Sequence, residues 1–305
     1  MTTSDATDAF VTHRNLLFTV AYEMLGSAAD AEDVLQETWL RWAEVDLAEV
    51  REPRAYLVRV TTRLALNRIR SLSRRRESYV GPWLPEPLLT SPDVAEDVEL
   101  ADSVSTAMLL VLETLSPTER AVFVLREVFD VPYDEIAAAV DKTPTAVRQI
   151  AHRARGHVEA RRPREVVGSP ERDAVIARFM TAVATGDLQS LMDVLAPDVV
   201  LITDGGGFKK AALKPIRGVE KVLRFLAAVT PQDADNRAEP VWVNGHLGLR
   251  LLADDVLDTI VTTRIDGDRV TGLYFVRNPH KLERVAEEVA LSRWQVRGAA
   301  GPHGG

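Results

Sequence analysis

Two predicted helices of opposite charge, one following the other, constrain this chain more than any other feature. The first begins after Ser27, which forms a capping-box pattern with Asp30, and its apolar side chains recur at three- and four-residue steps as far as Trp42. The second, residues 51–70, is rich in arginine, and nine arginines but one acidic residue lie between position 51 and Arg76. An acidic helix beside a basic helix indicates two partners, a basic protein surface and phosphate.

The residue order in these helices resembles a known family. Residues 30–42, followed by residues 53–57, resemble the second conserved region of bacterial sigma-70-type factors, especially the extracytoplasmic-function group. The resemblance implies that the first helix docks on the coiled coil of the largest RNA polymerase subunit, and that the next helix binds and opens the −10 promoter element. The expected polymerase-binding residues are Asp30, Glu32, Asp33, Val34, Leu35, Gln36 and Glu37.

The arginine-rich helix is expected to contact DNA. Guanidinium groups suit phosphate, and an aromatic face accepts any stacked base. Tyr56 is therefore either a stacking platform or a core residue, and the sequence leaves both readings open. The expected −10 contacts are Arg51, Arg54, Tyr56, Arg59 and Arg63.

Residues 77–100 change character and are predicted to be a linker. They hold four prolines, six acidic residues and no basic residue, a composition that favours extended chain over a regular helix. A solvated tether has no use for a large apolar ring, so Trp83 predicts that the linker docks. The family resemblance implies that such a linker threads the active-site and RNA-exit channel of the polymerase.

A helix-turn-helix is predicted after the linker and after an apolar helix at 102–115. Thr143 caps its second helix and Pro144 opens it. Short side chains at the start, followed by amide and guanidinium groups, suit entry into the major groove. The segment resembles the fourth sigma region, which reads the −35 element and meets the β-subunit flap. The expected contacts are Thr143, Thr145, Ala146, Arg148, Gln149, His152, Arg153 and Arg155.

Beyond residue 170 the pattern becomes α+β. Helical segments precede strand runs that turn at Asn244-Gly245 and Asp266-Gly267, and such turns predict hairpins. The order resembles the SnoaL-like branch of the nuclear transport factor 2 fold. We therefore expect a multidomain chain with two all-α sigma domains, 1–76 and 101–165, flanking a linker at 77–100. An α+β SnoaL-like cone at 170–290 and a disordered tail at 291–305 follow.

The cone suggests a pocket, and some relatives with this fold are enzymes. Asp204, His246 and Trp242 are predicted to line it, with Asp258 or Arg264 beside them. A general base needs a partner within hydrogen-bond reach, and no Asp/His dyad stands out by spacing. We therefore expect a binding or regulatory domain that takes at most a small-molecule ligand, with no enzymatic activity, cofactor or metal.

A narrower resemblance extends over nearly the whole chain. A subgroup of extracytoplasmic-function sigma factors carries a fused SnoaL-like domain, a Trp-Leu-Pro-Glu-Pro linker, an Asp-Gly-Gly-Gly-Lys loop and an Asn-Pro-Asp-Lys-Leu end. This chain departs from it at Phe208 and His280. The resemblance implies that the fused domain replaces a separate anti-sigma factor. From Trp83 and the late motifs we also expect a tail helix at 284–297 that joins the contact. The expected interdomain residues are Trp83, Leu84, Pro85, Asp204, Gly205, Gly206, Gly207, Asn278, Pro279, Lys281 and Leu282.

Composition removes several other classes. The chain has no cysteine, so disulfides, thiolate zinc sites and catalytic thiols are excluded. The first residues lack an apolar signal core and no apolar run is long enough to span a bilayer, which favours a cytoplasmic protein without a membrane partner. A net charge of −8 argues against a general nucleic-acid coater. Two alternatives stay open, an autonomous ligand-sensing helix-turn-helix regulator and a pocket enzyme with helical appendages.

Overall fold

The computed structural model describes residues 3–161, 169–229, 236–285 and 288–293. Within these ranges, no helix combines the length and apolarity that a bilayer crossing requires. The helices are α1 (Thr3–Leu25), α2 (Ala28–Ala43), α3 (Pro53–Glu77), α4 (Val98–Val104), α5 (Thr106–Leu112), α6 (Pro117–Phe123), α7 (Tyr133–Val140), α8 (Pro144–Glu159), α9 (Ser169–Thr185), α10 (Leu188–Val194), α11 (Val219–Val229) and α12 (Pro279–Leu282). The strands are β1 (Leu195–Asp204), β2 (Ile216–Arg217), β3 (Asn236–Val243), β4 (His246–Ala253), β5 (Val256–Asp266) and β6 (Arg269–Val276).

Helices α1 to α3 pack as one unit. Gly26 ends α1 in the left-handed region, with φ +64°, and the Ser27 side chain caps α2 by accepting the Asp30 N–H at 3.1 Å. Trp42 is 1% exposed, and its indole Nε1–H donates to the Ala6 carbonyl at 2.8 Å. The acidic helix therefore turns Val34, Leu35 and Trp42 inward, whereas Leu40, Asp33 and Glu37 are exposed.

The predicted helix-turn-helix is present as α7 and α8. Thr143 caps α8 through its hydroxyl, which accepts the Ala146 N–H at 3.2 Å, and Pro144 is the first helical residue. Asp141 adopts a left-handed φ of +56° in the turn. The apolar helix predicted at 102–115 is instead two helices, α4 and α5. The chain is extended at Ser105, whose hydroxyl caps α5 by accepting the Met108 N–H at 3.1 Å.

The helices from α1 to α8 share one apolar core instead of forming two separate cores. Helix α3 packs against both α6 and α7, so the arginine-rich helix and the helix-turn-helix are in direct contact. The core contains Leu17 and Leu57 from the first helices together with Val122 and Val147 from the later ones.

The strands form one six-stranded sheet in the order β2-β1-β6-β5-β4-β3. Strands β1 and β6 are parallel, and every other neighbouring pair is antiparallel. Both predicted hairpins form. Asn244 and Gly245, with φ of +53° and +74°, make the two-residue turn between β3 and β4. The predicted fold class, all-α parts followed by an α+β domain, is confirmed.

Each face of this sheet has a different cover, since successive side chains of a strand point to opposite faces. Leu201 and Leu273 belong to one face, which packs with α9, α10 and α11 into the core of the cone. Tyr274 and Val276 belong to the other face, which packs against Leu84 of the linker. The linker and α5, together with α12, therefore cover this second face of the sheet.

The end of the described chain is extended, so the tail helix predicted at 284–297 is wrong for residues 288–293. The Val289 N–H donates to the Leu89 carbonyl at 2.8 Å, and the Arg293 guanidinium pairs with Asp97 at 2.8 Å. Backbone pairing with the linker replaces the internal bonds of a helix here. Residues 294–305, which include the end of the predicted tail, lie outside the described residues, as does most of the boundary predicted at 163–170 between the helix-turn-helix and the cone.

Candidate functional site

The predicted polymerase-binding positions lie on α2. Asp33, Gln36 and Glu37 are exposed on its outer side. Val34 and Leu35 are 3% and 2% exposed and belong to the helical core. The prediction that these two side chains contact a partner is wrong, because the helix turns them inward.

Part of the acidic face is tied to the arginine-rich helix. Arg68 of α3 donates to Asp30 through Nε and to Asp33 through Nη2, each at 2.7 Å. Burial would lower the pKa of the Arg68 guanidinium, but the hydrogen bonds and charges of the two carboxylates raise it. Glu32 is paired with Arg14 at 2.8 Å. Glu37, at the outer end of the face, is paired with Arg41 of the same helix at 2.7 Å, and its side chain stays about half exposed.

The predicted −10 residues lie along α3 and its approach. Arg51 is exposed, and Arg54 is half-buried. The Tyr56 ring packs 5.6 Å from the Trp42 ring on one side and lies 5.1 Å below the Arg59 guanidinium on another. Tyr56 therefore contributes to the core while it remains partly accessible beside a cation.

Arg63 has a contact that the sequence did not indicate. Its Nη2 donates to the Ala138 carbonyl at 2.7 Å, and its Nε lies 3.4 Å from the Ala139 carbonyl. Both carbonyls belong to the C-terminal end of α7, where the helix dipole favours a cation. A predicted −10 residue is thus bound to the first helix of the helix-turn-helix.

The predicted −35 residues lie on one side of α8. Thr145, Gln149 and His152 are exposed there. Arg148 is exposed and lies 5.5 Å from the centre of the Tyr133 ring. Of the remaining predicted contacts, Arg153 and Thr143 are exposed, Ala146 is half-buried, and Arg155 is paired with Glu127.

The C-terminal domain binds the linker through a buried carboxylate. Asp204, at the end of β1, is fully buried. It accepts hydrogen bonds from the Tyr79 hydroxyl at 2.6 Å, the Leu84 N–H at 2.9 Å, the Lys281 ammonium at 2.8 Å and the Gly206 N–H at 3.1 Å. Burial, followed by the hydrogen bond and charge of Asp204, raises the pKa of the Tyr79 hydroxyl, so this donor stays protonated.

Lys281 and Asn278 complete this network from the other end of the domain. The Lys281 ammonium also donates to the Leu84 carbonyl and lies 4.2 Å from the centre of the Trp83 ring. Asn278 caps α12 and donates to the Tyr79 hydroxyl at 2.7 Å. We call Tyr79, Leu84, Asp204, Asn278 and Lys281 the linker clamp.

The glycine loop after Asp204, residues 205–207, allows the residues of the clamp to approach one another closely. Gly206 has φ +59°, and a Cβ there would lie 2.2 Å from Asn278 Nδ2. A Cβ on Gly205 would lie 2.3 Å from the Lys209 carbonyl oxygen. The loop is therefore a strand-end turn that needs glycine for close approach. The predicted interdomain residues of the linker, glycine loop and α12 come together here.

The same linker also caps the acidic helix. Glu86 accepts from the Ser27 hydroxyl at 2.9 Å and from the Ala29 N–H at 3.1 Å, so its carboxylate stands at the positive end of α2. The Glu86 carbonyl accepts from the Tyr22 hydroxyl at 2.6 Å. Sequence reasoning missed Glu86 as a contact, although an acidic residue in a docked linker suits a helix N-terminus.

A hairpin tip joins three parts of the chain. The Asn244 side-chain Nδ2 donates to Tyr22 at 2.7 Å and to the Val104 carbonyl at 2.8 Å, and its Oδ1 accepts from the Leu88 N–H at 3.1 Å. A Cβ on Gly245 would lie 2.6 Å from Ala101 Cα. The Asn-Gly pair predicted the turn, but nothing in the sequence signalled its partners.

The predicted pocket residues do not gather in the cone. The cone cavity, about 460 Å³, is lined by Asp258 but not by Asp204, Trp242, His246 or Arg264 among the described residues. His246 lies at the other side of the sheet, 2.9 Å from Arg172 Nη1. Burial, followed by the charge of Arg172, lowers the pKa of His246 to about 3. The prediction of a shared Asp204–His246 pocket is wrong, because alternate strand positions face opposite sides.

A buried carboxyl lies where α1 meets α4. Glu23 is 1% exposed and accepts from the Ser103 hydroxyl at 2.8 Å, while its Oε2 has no hydrogen-bond partner among the described residues. Burial raises the pKa of Glu23 to about 8, although the Ser103 hydrogen bond and the charge of Arg293 oppose the rise. Burial of this carboxyl therefore favours the protonated acid.

Comparison with known proteins agrees with this geometry. The family model for sigma-70 region 2 matches residues 9–75, and the model for sigma-70 region 4 matches residues 105–158. The chain is 37% identical over 287 residues to the ECF RNA polymerase sigma factor SigJ of Mycobacterium tuberculosis, which covers 88% of this chain and 90% of SigJ. It is 37% identical over 194 residues to a probable ECF sigma factor, SigI, of the same species, covering 63% and 67%.

A solved structure extends the match beyond the helical half. The crystal structure of M. tuberculosis SigJ superimposes with a TM-score of 0.74 at 32% identity, covering 92% of this chain and 99% of that one. The predicted resemblance is confirmed. With both sigma-70 regions matched in order and a relative aligned along nearly its whole length, this chain belongs to the extracytoplasmic-function sigma factors of RNA polymerase.

Proposed function

We propose that the C-terminal domain of this sigma factor acts in place of a separate anti-sigma factor by holding its linker. Promoter-specific transcription initiation is the function of the family, with RNA polymerase core and promoter DNA as partners. The linker clamp is the observation that carries the proposal. It binds Tyr79 and Leu84 of the linker to the C-terminal domain, so these groups are not free to contact a polymerase channel.

The packing of the two helical parts supports the same conclusion. Arg63 of α3 donates to the carbonyl of Ala138 in α7, so the helix proposed to bind the −10 element is in direct contact with the helix-turn-helix. The two promoter elements are separate DNA segments, and their readers must move apart to bind both. A clamped linker, fixed to Tyr22 through Glu86 and Asn244, opposes that separation.

The surfaces proposed for the partners carry exposed polar and charged side chains, some of which are in surface ion pairs. On α2, Asp33 and Glu37 would meet a basic polymerase surface. On α8, Gln149 and His152 would meet base edges, with Arg153 beside the phosphates. We assign the cone no enzymatic role and propose that its pocket serves regulation.

Reconstituted transcription with core polymerase tests the clamp. Asp204→Asn keeps the shape of the side chain but removes the charge that binds Lys281, so it should raise transcription from a −35/−10 promoter severalfold. Asp193→Asn, on the exposed side of α10, is the matched control. Equal transcription by both variants and the native protein would contradict regulation through the clamp.

Association with core polymerase tests the acidic face separately. The double variant Asp33→Asn/Glu37→Gln should weaken co-elution with the core enzyme, because it removes two exposed charges without touching the helical core. Tight binding of promoter duplex by the free protein would instead favour an autonomous regulator.

A further inference from the structure

The cone cavity has the form of a ligand site. Its volume of about 460 Å³ lies in the range of small-molecule pockets. The inner wall is apolar and includes Phe179, Phe225, Leu249, Val261 and Phe275. A molecule that filled it would bury a hydrocarbon or aromatic body.

Three cationic residues and one carboxylate line the cavity. Lys210, Arg237 and Arg277 are the cations and Asp258 is the carboxylate, and Arg237 is also paired with Asp255 at 2.5 Å. Arg277 is half-buried, and its Nε and Nη2 donate to Asp258 at 3.1 and 2.8 Å. Asp258 also accepts from the Lys209 ammonium at 3.1 Å, so this one carboxylate is paired with both Arg277 and Lys209. A cationic rim above an apolar wall suits a ligand with one anionic head group.

Two adjacent residue pairs connect the cavity to the linker clamp. Thr203 lines the cavity and the next residue, Asp204, is in the clamp. Arg277 lines the cavity and the next residue, Asn278, is in the clamp. The Arg277 N–H donates to the Asp204 carbonyl at 2.7 Å, which joins the two pairs. A shift of backbone at either pair must reach both sites.

We propose that the cone binds an amphipathic monoanion and that this ligand loosens the linker clamp. The head group competes with Asp258 for the Arg277 guanidinium and is repelled by that carboxylate. Arg277 then gives up its present position, and Asn278 loses its alignment with Tyr79. The inference rests on the proposed function of the clamp and adds the chemical class of the signal.

Binding is tested by calorimetric titration of the full-length protein with decanoate and, as its uncharged counterpart, decanol. We expect saturable one-to-one binding of decanoate, at least tenfold tighter than that of decanol. Arg277→Gln should weaken decanoate binding at least tenfold, while Arg224→Gln, at an exposed position of α11, should leave it unchanged. If Arg277→Gln does not fold, the comparison of decanoate with decanol decides. Equal affinity for the two probes, or no binding, overturns the proposal.

The coupling is tested by hydrogen exchange of a linker peptide that contains Leu84 and Leu88. Decanoate should speed exchange of these amides at least tenfold, and unchanged or slower exchange overturns the coupling. Asp204→Asn should speed the same exchange without ligand. It should also tighten decanoate binding, because coupling between two sites is reciprocal. Fast exchange in Asp204→Asn with no decanoate effect would reject this inference and leave the clamp in place.

Discussion

At the scale of single residues, the clamp depends on a buried ion pair. Asp204 is fully buried, and Lys281 is 7% exposed. Such charges are costly to bury, and the cost is offset here because the carboxylate has four donors and the ammonium also reaches the Leu84 carbonyl and the Trp83 ring. Removing one partner leaves the other charge buried and uncompensated.

Lys281→Met should therefore lower the free energy of unfolding of the C-terminal domain by about 3 kcal/mol, the lower end for a broken buried pair. Urea unfolding followed by tryptophan fluorescence measures the change, since the Trp83 ring lies beside the ammonium. Lys214→Met, at an exposed position, is the control and should change little. An equally small effect of both substitutions would mean that the pair contributes no stability.

The hairpin tip depends on a glycine for a second reason besides its φ. Gly245→Ala would add a Cβ 2.6 Å from Ala101 Cα and should push α4 away from the tip. Gly186→Ala is the matched control, because Gly186 also has positive φ (+66°) but nothing lies within 4 Å of the added Cβ.

We expect both alanine variants to show the strain of an L-residue at positive φ, about 1 kcal/mol. Gly245→Ala alone should also speed hydrogen exchange in the peptide that contains Leu88 and Thr90, because the Leu88 N–H donates to Asn244 and Thr90 Oγ1 accepts from the Gly245 N–H at 3.1 Å. Identical exchange in the two variants would show that the tip does not fix the linker.

At the scale of secondary-structure elements, the α1–α4 contact makes the packing sensitive to pH. Glu23 has a pKa of about 8 in the packed protein against an ordinary value of 4.5. The packed form therefore binds the proton more tightly than a form in which Glu23 meets water. Its stability is greatest below pH 4.5 and falls as the pH rises towards 8.

Raising the pH from 6 to 8 should lower the free energy of unfolding by about 2–3 kcal/mol through Glu23, at 1.36 kcal/mol for each pH unit. Glu23→Gln, which can still accept from Ser103, should lose this slope, whereas Glu49→Gln at an exposed position should keep it. Urea midpoints at the two pH values give the slopes. His246 titrates alike in all three proteins, so a slope common to them would assign the pH dependence elsewhere.

The sequence predicted these elements unevenly, for physical reasons. Local signals, such as the cap at Ser27, the start of α8 at Pro144 and the Asn-Gly turn, were reliable because they depend on neighbouring residues. Trp83 correctly indicated a docked linker. The contacts of Glu86 and Asn244 could not be predicted, because their partners are 57 to 222 residues away.

The face on which a strand residue lies was the other source of error. Asp204 ends one predicted strand and His246 begins another, and both were predicted to line the pocket. Both faces of this sheet are covered, so apolar residues occur on either side and the alternation does not identify the cavity. The register with the partner strands decides which face a residue lies on, and this register is a property of the folded sheet.

At the scale of the whole molecule, one continuous core and one linker hold three parts together. The helices from α1 to α8 share that core, and the second face of the sheet is covered by the linker, α5 and α12. Helices α3 and α8, for which we propose promoter contacts, are thus held in one compact arrangement, with Arg63 bound to α7. Under the proposed function, this arrangement opens when the clamp is released.

The distance between α3 and α8 tests this claim most directly. The chain has no cysteine, so Ser71→Cys and His152→Cys, both at exposed positions, accept one spin label each. Double electron–electron resonance should give one narrow distance distribution in the native free protein. Asp204→Asn, or addition of core polymerase, should give a longer and broader distribution. A distribution that stays narrow and unchanged under both conditions would contradict the account.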